Sequence, residues 1–207
     1  MTTPSPNRIL MIVLAYLWPL AIVPLLVEKN DLEIQWHAKH GLVLVVAEIV
    51  VLAIWNDVHF WLNHRLLHTR WLRRFHGPHH RSVVTTPWAT YSFHPIEAAM
   101  LGNVILLPML LHDFSFWSLA SVPLFSLFFN SVGHSNYDFF PRVSYSHWFA
   151  ASRRHHLHHA CHGGNYGFQF TFMDRLFGTR IAADAAEPQF QAFRSKQQRQ
   201  PQHGTPA

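Results

Sequence analysis

Charge and sulfur are scarce in this chain. Charged residues make up 13% of its 207 residues, about half the share usual in a soluble globular domain. That excludes an ordinary water-soluble fold with a fully solvated surface. One cysteine, Cys161, is present. It cannot form an internal disulfide, and no cysteine cage for zinc or an iron–sulfur cluster can be built from it. No GxGxxG occurs, so no flavin or nicotinamide domain is fused here, and no HExxH occurs to mark a zinc protease helix. No haem domain is recognisable, and no repeat of solenoid length is visible. The first apolar run is not followed by a small-residue cleavage site, so it reads as an uncleaved span rather than a signal peptide.

Apolar residues supply 49% of the chain, with 8 tryptophans and 17 phenylalanines. They are gathered in runs. Residues 9–27 carry no charge over about 28 Å of helix, enough to cross a bilayer core. Further apolar stretches cover 41–62, 95–111 and 114–132. The second contains Glu48 and Asp57, and acids inside a span face other helices or a cavity. The expected fold is all-α: an integral membrane protein with four transmembrane helices and a cytoplasmic, histidine-rich helical cap. Residues 1–180 are expected to form a single membrane domain, and 181–207, rich in Gln and Pro, a disordered tail. The net charge of +5 resides in arginines such as Arg65, Arg70, Arg73, Arg74, Arg81, Arg142, Arg153 and Arg154. They follow spans two and four, so that side should be cytoplasmic. The apolar spans point to a membrane surface, not nucleic acid, as the partner of this basic chain. The small size and short loops suggest a bacterial inner membrane.

The outlying number is 18 histidines. Three clusters stand out: His64 and His68; His76, His79 and His80; and His155, His156, His158 and His159. Positions i, i+3 and i+4 share a helix face, so rings at this spacing can converge. In the second cluster, Pro78 is acceptable if His76 or Gly77 caps a helix starting there. One HxxxH pair arises readily by chance, but three such clusters on one side of a membrane do not. Eight imidazoles exceed the needs of one tetrahedral ion. Two adjacent ions can reduce O2 together and oxidise an unactivated C–H bond, and neutral imidazole suits iron among redox metals.

These residues stand in a recognisable order: DVHFWLNHRLLH (57–68), HGPHH (76–80), FHPIE (93–97), GHSN (133–136), HHLHH (155–159), NYG (165–167) and MDRLFGT (173–179). In order and spacing the chain resembles the fatty acid hydroxylase / sterol desaturase superfamily of membrane di-iron oxygenases, over about residues 57–180. The resemblance implies metal ligation by His64, His68, His76, His79, His80, His155, His158 and His159, with His134 as a ninth ligand. It implies two non-haem iron ions, O2 as co-substrate and a membrane lipid substrate. That lipid could be fatty acyl, sterol-like, carotenoid or ether lipid. The reaction is hydroxylation or desaturation, and the bacterial setting weakens the sterol reading. Two electrons come from a separate ferredoxin- or cytochrome-type donor with its reductase, and the arginine-rich face offers it a docking surface.

Other residues are weighed beside these. Some relatives have a histidine where Asn130 stands, so Asn130 is a candidate holder of a metal-bound water. Glu97 and Asp57 are candidates for orienting ligand rings by hydrogen bonds. His94 is read as a helix cap or an orienting group, His156 as a surface residue, and Asp174 with Arg175 as a structural pair. Asn165, Tyr166 and Gly167 read as a turn under the site. His37, His40 and His112 fall on the far side of the membrane. The rival classes are a zinc-dependent membrane hydrolase, which needs one ion, and a non-catalytic metal or haem carrier. Haem would need histidines facing each other across spans.

Overall fold

Proline and asparagine decide where the apolar stretches stop being continuous helices. The computed structural model describes residues 6–17, 19–82, 85–182 and 188. Most of the tail expected to be disordered (181–207) therefore lies outside the described residues. Within them the chain is all-helical, with no strand. Helix α1 spans Pro6–Ala15 and α2 spans Ile22–Val27. A single span over 9–27 was expected. Pro19 lacks the N–H that would continue α1, and the chain turns before α2.

Helix α3, Leu32–Leu67, runs for 36 residues, about 54 Å. Asp31 starts it by accepting from the backbone N–H of Glu33 and Ile34, both at 3.1 Å, the usual N-cap device. Asp31 also pairs with Arg8 at 3.0 Å. At Gly41 a Cβ would collide with the carbonyl oxygen of Ala15, so glycine permits the close approach of α1 to α3. Helix α4 is Arg73–His80, α5 is Pro95–Gly102 and α6 is Leu106–Leu111. The expected third span over 95–111 is thus broken at 103–105. The Asn103 side chain there meets His59 Nε2 at 2.7 Å instead of facing a helix surface, and asparagine competes with helical bonding in this way. Helix α7 is Phe116–His134, α8 is Ala151–Cys161 and α9 is Phe172–Leu176.

Among the described residues, α3 and α7 are the two helices long and apolar enough to cross a membrane. Both carry outward apolar side chains, including Val43, Leu44, Val50, Leu124 and Phe128.

The chain divides into two compact units. The first comprises residues 1–56 and 105–126. In it Glu48 accepts from the backbone N–H of Ser115 at 3.0 Å, and Ser126 donates to Asn56 at 3.0 Å. Acid and amide thus find partners on other segments, as a residue inside an apolar span must. His37, His40 and His112 belong to this unit. The second unit comprises residues 57–104 and 127–207 and holds every other histidine cluster. Helix α4 begins at Arg73, earlier than the start at His76 or Gly77 that Pro78 had suggested. Pro78 lies inside it, forfeiting one bond near the end of a short helix.

Candidate metal centre

Within the second unit, α4, α8 and the ends of α3 and α7 bring nine imidazoles together. The end of α3 supplies His64 and His68, one turn apart. Helix α4 supplies His76, His79 and His80, α7 ends in His134, and α8 supplies His155, His158 and His159. They form two groups, in each of which one ligand atom per ring lies within 4.8 Å of the others. His64, His68, His76, His80 and His158 make the first; His79, His134, His155 and His159 make the second. Helices α4 and α8 each serve both groups, because positions i, i+3 and i+4 fan out over a narrow arc. The groups adjoin: the rings of His80 and His159 are 4.5 Å apart.

Within the groups the ring nitrogens face one another. His80 Nε2 lies 2.9 Å from His76 Nε2 and 3.1 Å from those of His68 and His158. His134 Nε2 lies 3.1 Å from His79 Nε2 and 3.0 Å from His155 Nε2. The other edges of several rings explain this. Nδ1–H of His64 donates to the Tyr166 carbonyl at 2.9 Å, that of His158 to Gly164 at 2.7 Å, and that of His134 to Asn130 at 2.8 Å. A carbonyl only accepts, so each Nδ1 carries the proton and each Nε2 is a bare lone pair. His76 Nδ1–H likewise donates to Glu97 at 2.6 Å. A nitrogen carries at most one proton, so three nitrogens converging on His80 Nε2 are not satisfied by hydrogen bonds. Convergent lone pairs with fixed tautomers suit a cation, and outer partners of this kind are the usual supports of metal-ligating histidine.

Electrostatics agrees. Burial, reinforced by repulsion from neighbouring rings, pushes His76, His79 and His159 down to about 2, and burial takes His68 to about 4. His80, His155 and His158 are also pushed far down, first by burial. The rings are neutral at neutral pH, the form that binds metal.

The other candidates occupy varied positions. Glu97 is fully buried and holds His76. Asp57 accepts from the backbone N–H of Gln169 at 2.7 Å and Phe170 at 3.1 Å, so it ties α3 to the loop before α9. At Asn130 the backbone carbonyl is the group that reaches His134. His94 caps α5, accepting from Ile96 N–H at 3.2 Å. His156, expected at the surface, is buried: α8 is enclosed on nearly all sides. Asp174 does not rely on Arg175. It accepts from Trp61 Nε1 (3.0 Å), Tyr166 N (3.0 Å), Gly167 N (2.8 Å) and Thr179 Oγ1 (2.7 Å).

Sequence reasoning missed the carbonyls of Gly164 and Tyr166 as ring acceptors. It also missed Arg154, buried beside His155, which donates to the carbonyls of Tyr145, His147, Trp148 and Gln169. The loop signal was the Gly-Gly-Asn-Tyr-Gly run, whose Asn165 has φ of 53°; nothing local marked Arg154.

The family model for fatty acid hydroxylase matches residues 49–179. That range contains all nine rings and the 164–167 loop whose carbonyls orient two of them. The chain belongs to the fatty acid hydroxylase family. Similar proteins include lathosterol oxidase of Homo sapiens, 31% identical over 68% of this chain and 47% of its own length. The Delta(7)-sterol 5(6)-desaturase of Candida glabrata is 30% identical over 71% of this chain and 39% of its own. Methylsterol monooxygenase 1 of Rattus norvegicus is 26% identical over 74% of this chain and 53% of its own. The chain spans about half the length of such relatives. No solved structure matches it.

Proposed function

We propose that this family member is a membrane-bound non-haem di-iron oxygenase that hydroxylates or desaturates a lipid. The observation that carries the reading is the pair of adjoining histidine groups with Nε2 lone pairs turned inward. His64, His68, His76, His80 and His158 would hold one ion, and His79, His134, His155 and His159 the other. When bound, the iron pair supplies the reduction of O2 and the oxidation of a C–H bond. The chain's own residues do the rest. Tyr166, Gly164, Asn130 and Glu97 fix the rings, and burial of α8 shields His155, His158 and His159 from water. Hydroxylation consumes O2, two electrons and two protons, and yields one alcohol and one water. Desaturation consumes the same and yields a double bond and two waters. The electrons come from a separate ferredoxin- or cytochrome-type donor.

The names of the relatives favour a sterol-type substrate over the fatty acyl, carotenoid and ether-lipid alternatives. Four membrane spans, with the histidine-bearing unit on the arginine-rich cytoplasmic side, remain the topology we infer. The test is lipid mass spectrometry of cells with and without the protein, paired with metal analysis of purified protein. About two irons per chain and an O2-dependent gain of one oxygen or loss of two hydrogens in a lipid are expected. One zinc per chain with a hydrolysed lipid, or haem absorbance without a product, would overturn the reading.

A further inference from the structure

The short helix α4 has two faces of opposite character. His76, His79 and His80 point inward and are buried, whereas Arg73, Arg74 and Gly77 are exposed. Arg70 and Arg81 extend the outward side at either end. These four arginines line a cavity of about 560 Å³. Its other lining residues include His68, His76 and His80 of the first histidine group, so the cavity runs from an arginine rim toward buried rings. No acidic side chain lines it. Among the described residues, none of the four arginines makes an ion pair with a carboxylate.

Four guanidiniums around one concavity repel each other, and a ligand with two negative charges offsets that repulsion. Two of them are also held in place. The Arg70 guanidinium lies 4.4 Å from the centre of the Trp71 ring and that of Arg74 lies 4.6 Å from Phe75. A stacked guanidinium keeps its N–H edge available, and that edge matches the oxygens of a phosphate two at a time. A Cβ at Gly77 would meet nothing within 4 Å, so the floor between the arginines is open. Orientation of the chain in a membrane asks only that arginines lie on one side. It does not require them to surround a space of the size that takes small molecules. A protein partner's acidic patch would seek a broad surface, not this recess.

We propose that the arginine-rimmed cavity is a binding site for a phosphate-type dianion, supplied by a lipid headgroup or by free phosphate. The site is the arginine rim of the cavity and stands whether or not the chain proves to be an oxygenase.

The test uses the purified full chain in phosphatidylcholine nanodiscs containing a minor fraction of phosphatidic acid. Retained phosphatidic acid is measured by native mass spectrometry, with and without added inorganic phosphate. The R70Q/R74Q and R73Q/R81Q pairs should each retain about tenfold less. R142Q removes a charge from an exposed loop position outside the cavity and should leave retention unchanged. If a Gln pair fails to fold, R73K/R81K serves: it keeps the charge, loses the planar forks, and should bind about threefold more weakly. Displacement by millimolar inorganic phosphate would identify free phosphate as a competent ligand; retention despite it would identify the headgroup. Equal losses in R142Q and the cavity variants would overturn the proposal. So would binding of neither probe where an acidic donor protein alone binds the arginines.

Discussion

His76 and Glu97 meet 2.6 Å apart, with both side chains sealed from solvent, and this contact joins α4 to α5. The carboxylate accepts from Nδ1–H, which leaves Nε2 bare and facing the first histidine group. Glu97→Gln keeps the shape but offers a weaker acceptor, whereas Glu97→Ala leaves the ring free to rotate or exchange tautomer. Metal affinity should fall about tenfold for Gln and toward a hundredfold for Ala. Titration of the metal-free protein with Fe(II) or Co(II) measures this, and unchanged affinity in Glu97→Ala would remove Glu97 from the site.

Asn165 is the residue on which the loop 164–167 turns. Its Nδ2 donates to Tyr145 Oη at 2.6 Å, and its Oδ1 accepts from Ile181 N–H at 3.0 Å. The φ of 53° suits asparagine better than alanine. The same loop presents the Gly164 and Tyr166 carbonyls to His158 and His64. Asn165→Ala should therefore cost about 2–4 kcal/mol and reduce metal content together with stability. Asn165→Gly restores the backbone freedom but not the side-chain bonds, so it should recover only part. Thermal unfolding in detergent beside metal analysis would show it. A stable variant with full metal content would mean that Asp174 and the Asn165 N–H bond to the Thr179 carbonyl hold the loop without the Asn165 side chain.

Much of the centre was legible in sequence because its code is local. HxxxH and HxxHH spacings place rings on one helix face, and all nine rings singled out fall into the two groups. What could not be read was the division between them. His79 joins the second group although its neighbours His76 and His80 join the first, and that follows from where α7 and α8 lie. Of the two helix breaks, the one before α2 has a visible cause in Pro19, whereas Asn103 gave no signal until its partner His59 was known. Asp174 read as the partner of adjacent Arg175, yet its ligands include Trp61, far away in sequence.

Acid should unfold the metal-free protein. The buried rings of His68, His76, His79 and His159 titrate well below the ordinary histidine value. Below about pH 6.5 the unfolded chain takes up protons that the folded chain refuses. The stability these rings contribute is therefore present above that pH and is lost progressively as pH falls toward 2. Because several rings act together, the melting temperature should drop steeply below about pH 6.5. A melting temperature unchanged down to pH 5 would contradict the burial of the rings.

Single substitutions in the two groups should remove ions one at a time. His155 belongs to the second group, its Nε2 3.1 Å from that of His159. His158 belongs to the first, its Nε2 3.0 Å from that of His68. Both stand on α8, three positions apart, so their loss perturbs the same helix. His155→Ala leaves three rings in its group, and His158→Ala leaves four in the other. Each variant should drop from about two irons per chain to about one, with His155→Ala losing its ion more completely. The double variant should hold almost none. His112→Ala, in the other compact unit, should keep both ions. Iron analysis of the four purified proteins decides the matter: two irons retained in His155→Ala, or an equal loss in His112→Ala, would mean that the groups do not hold separate ions.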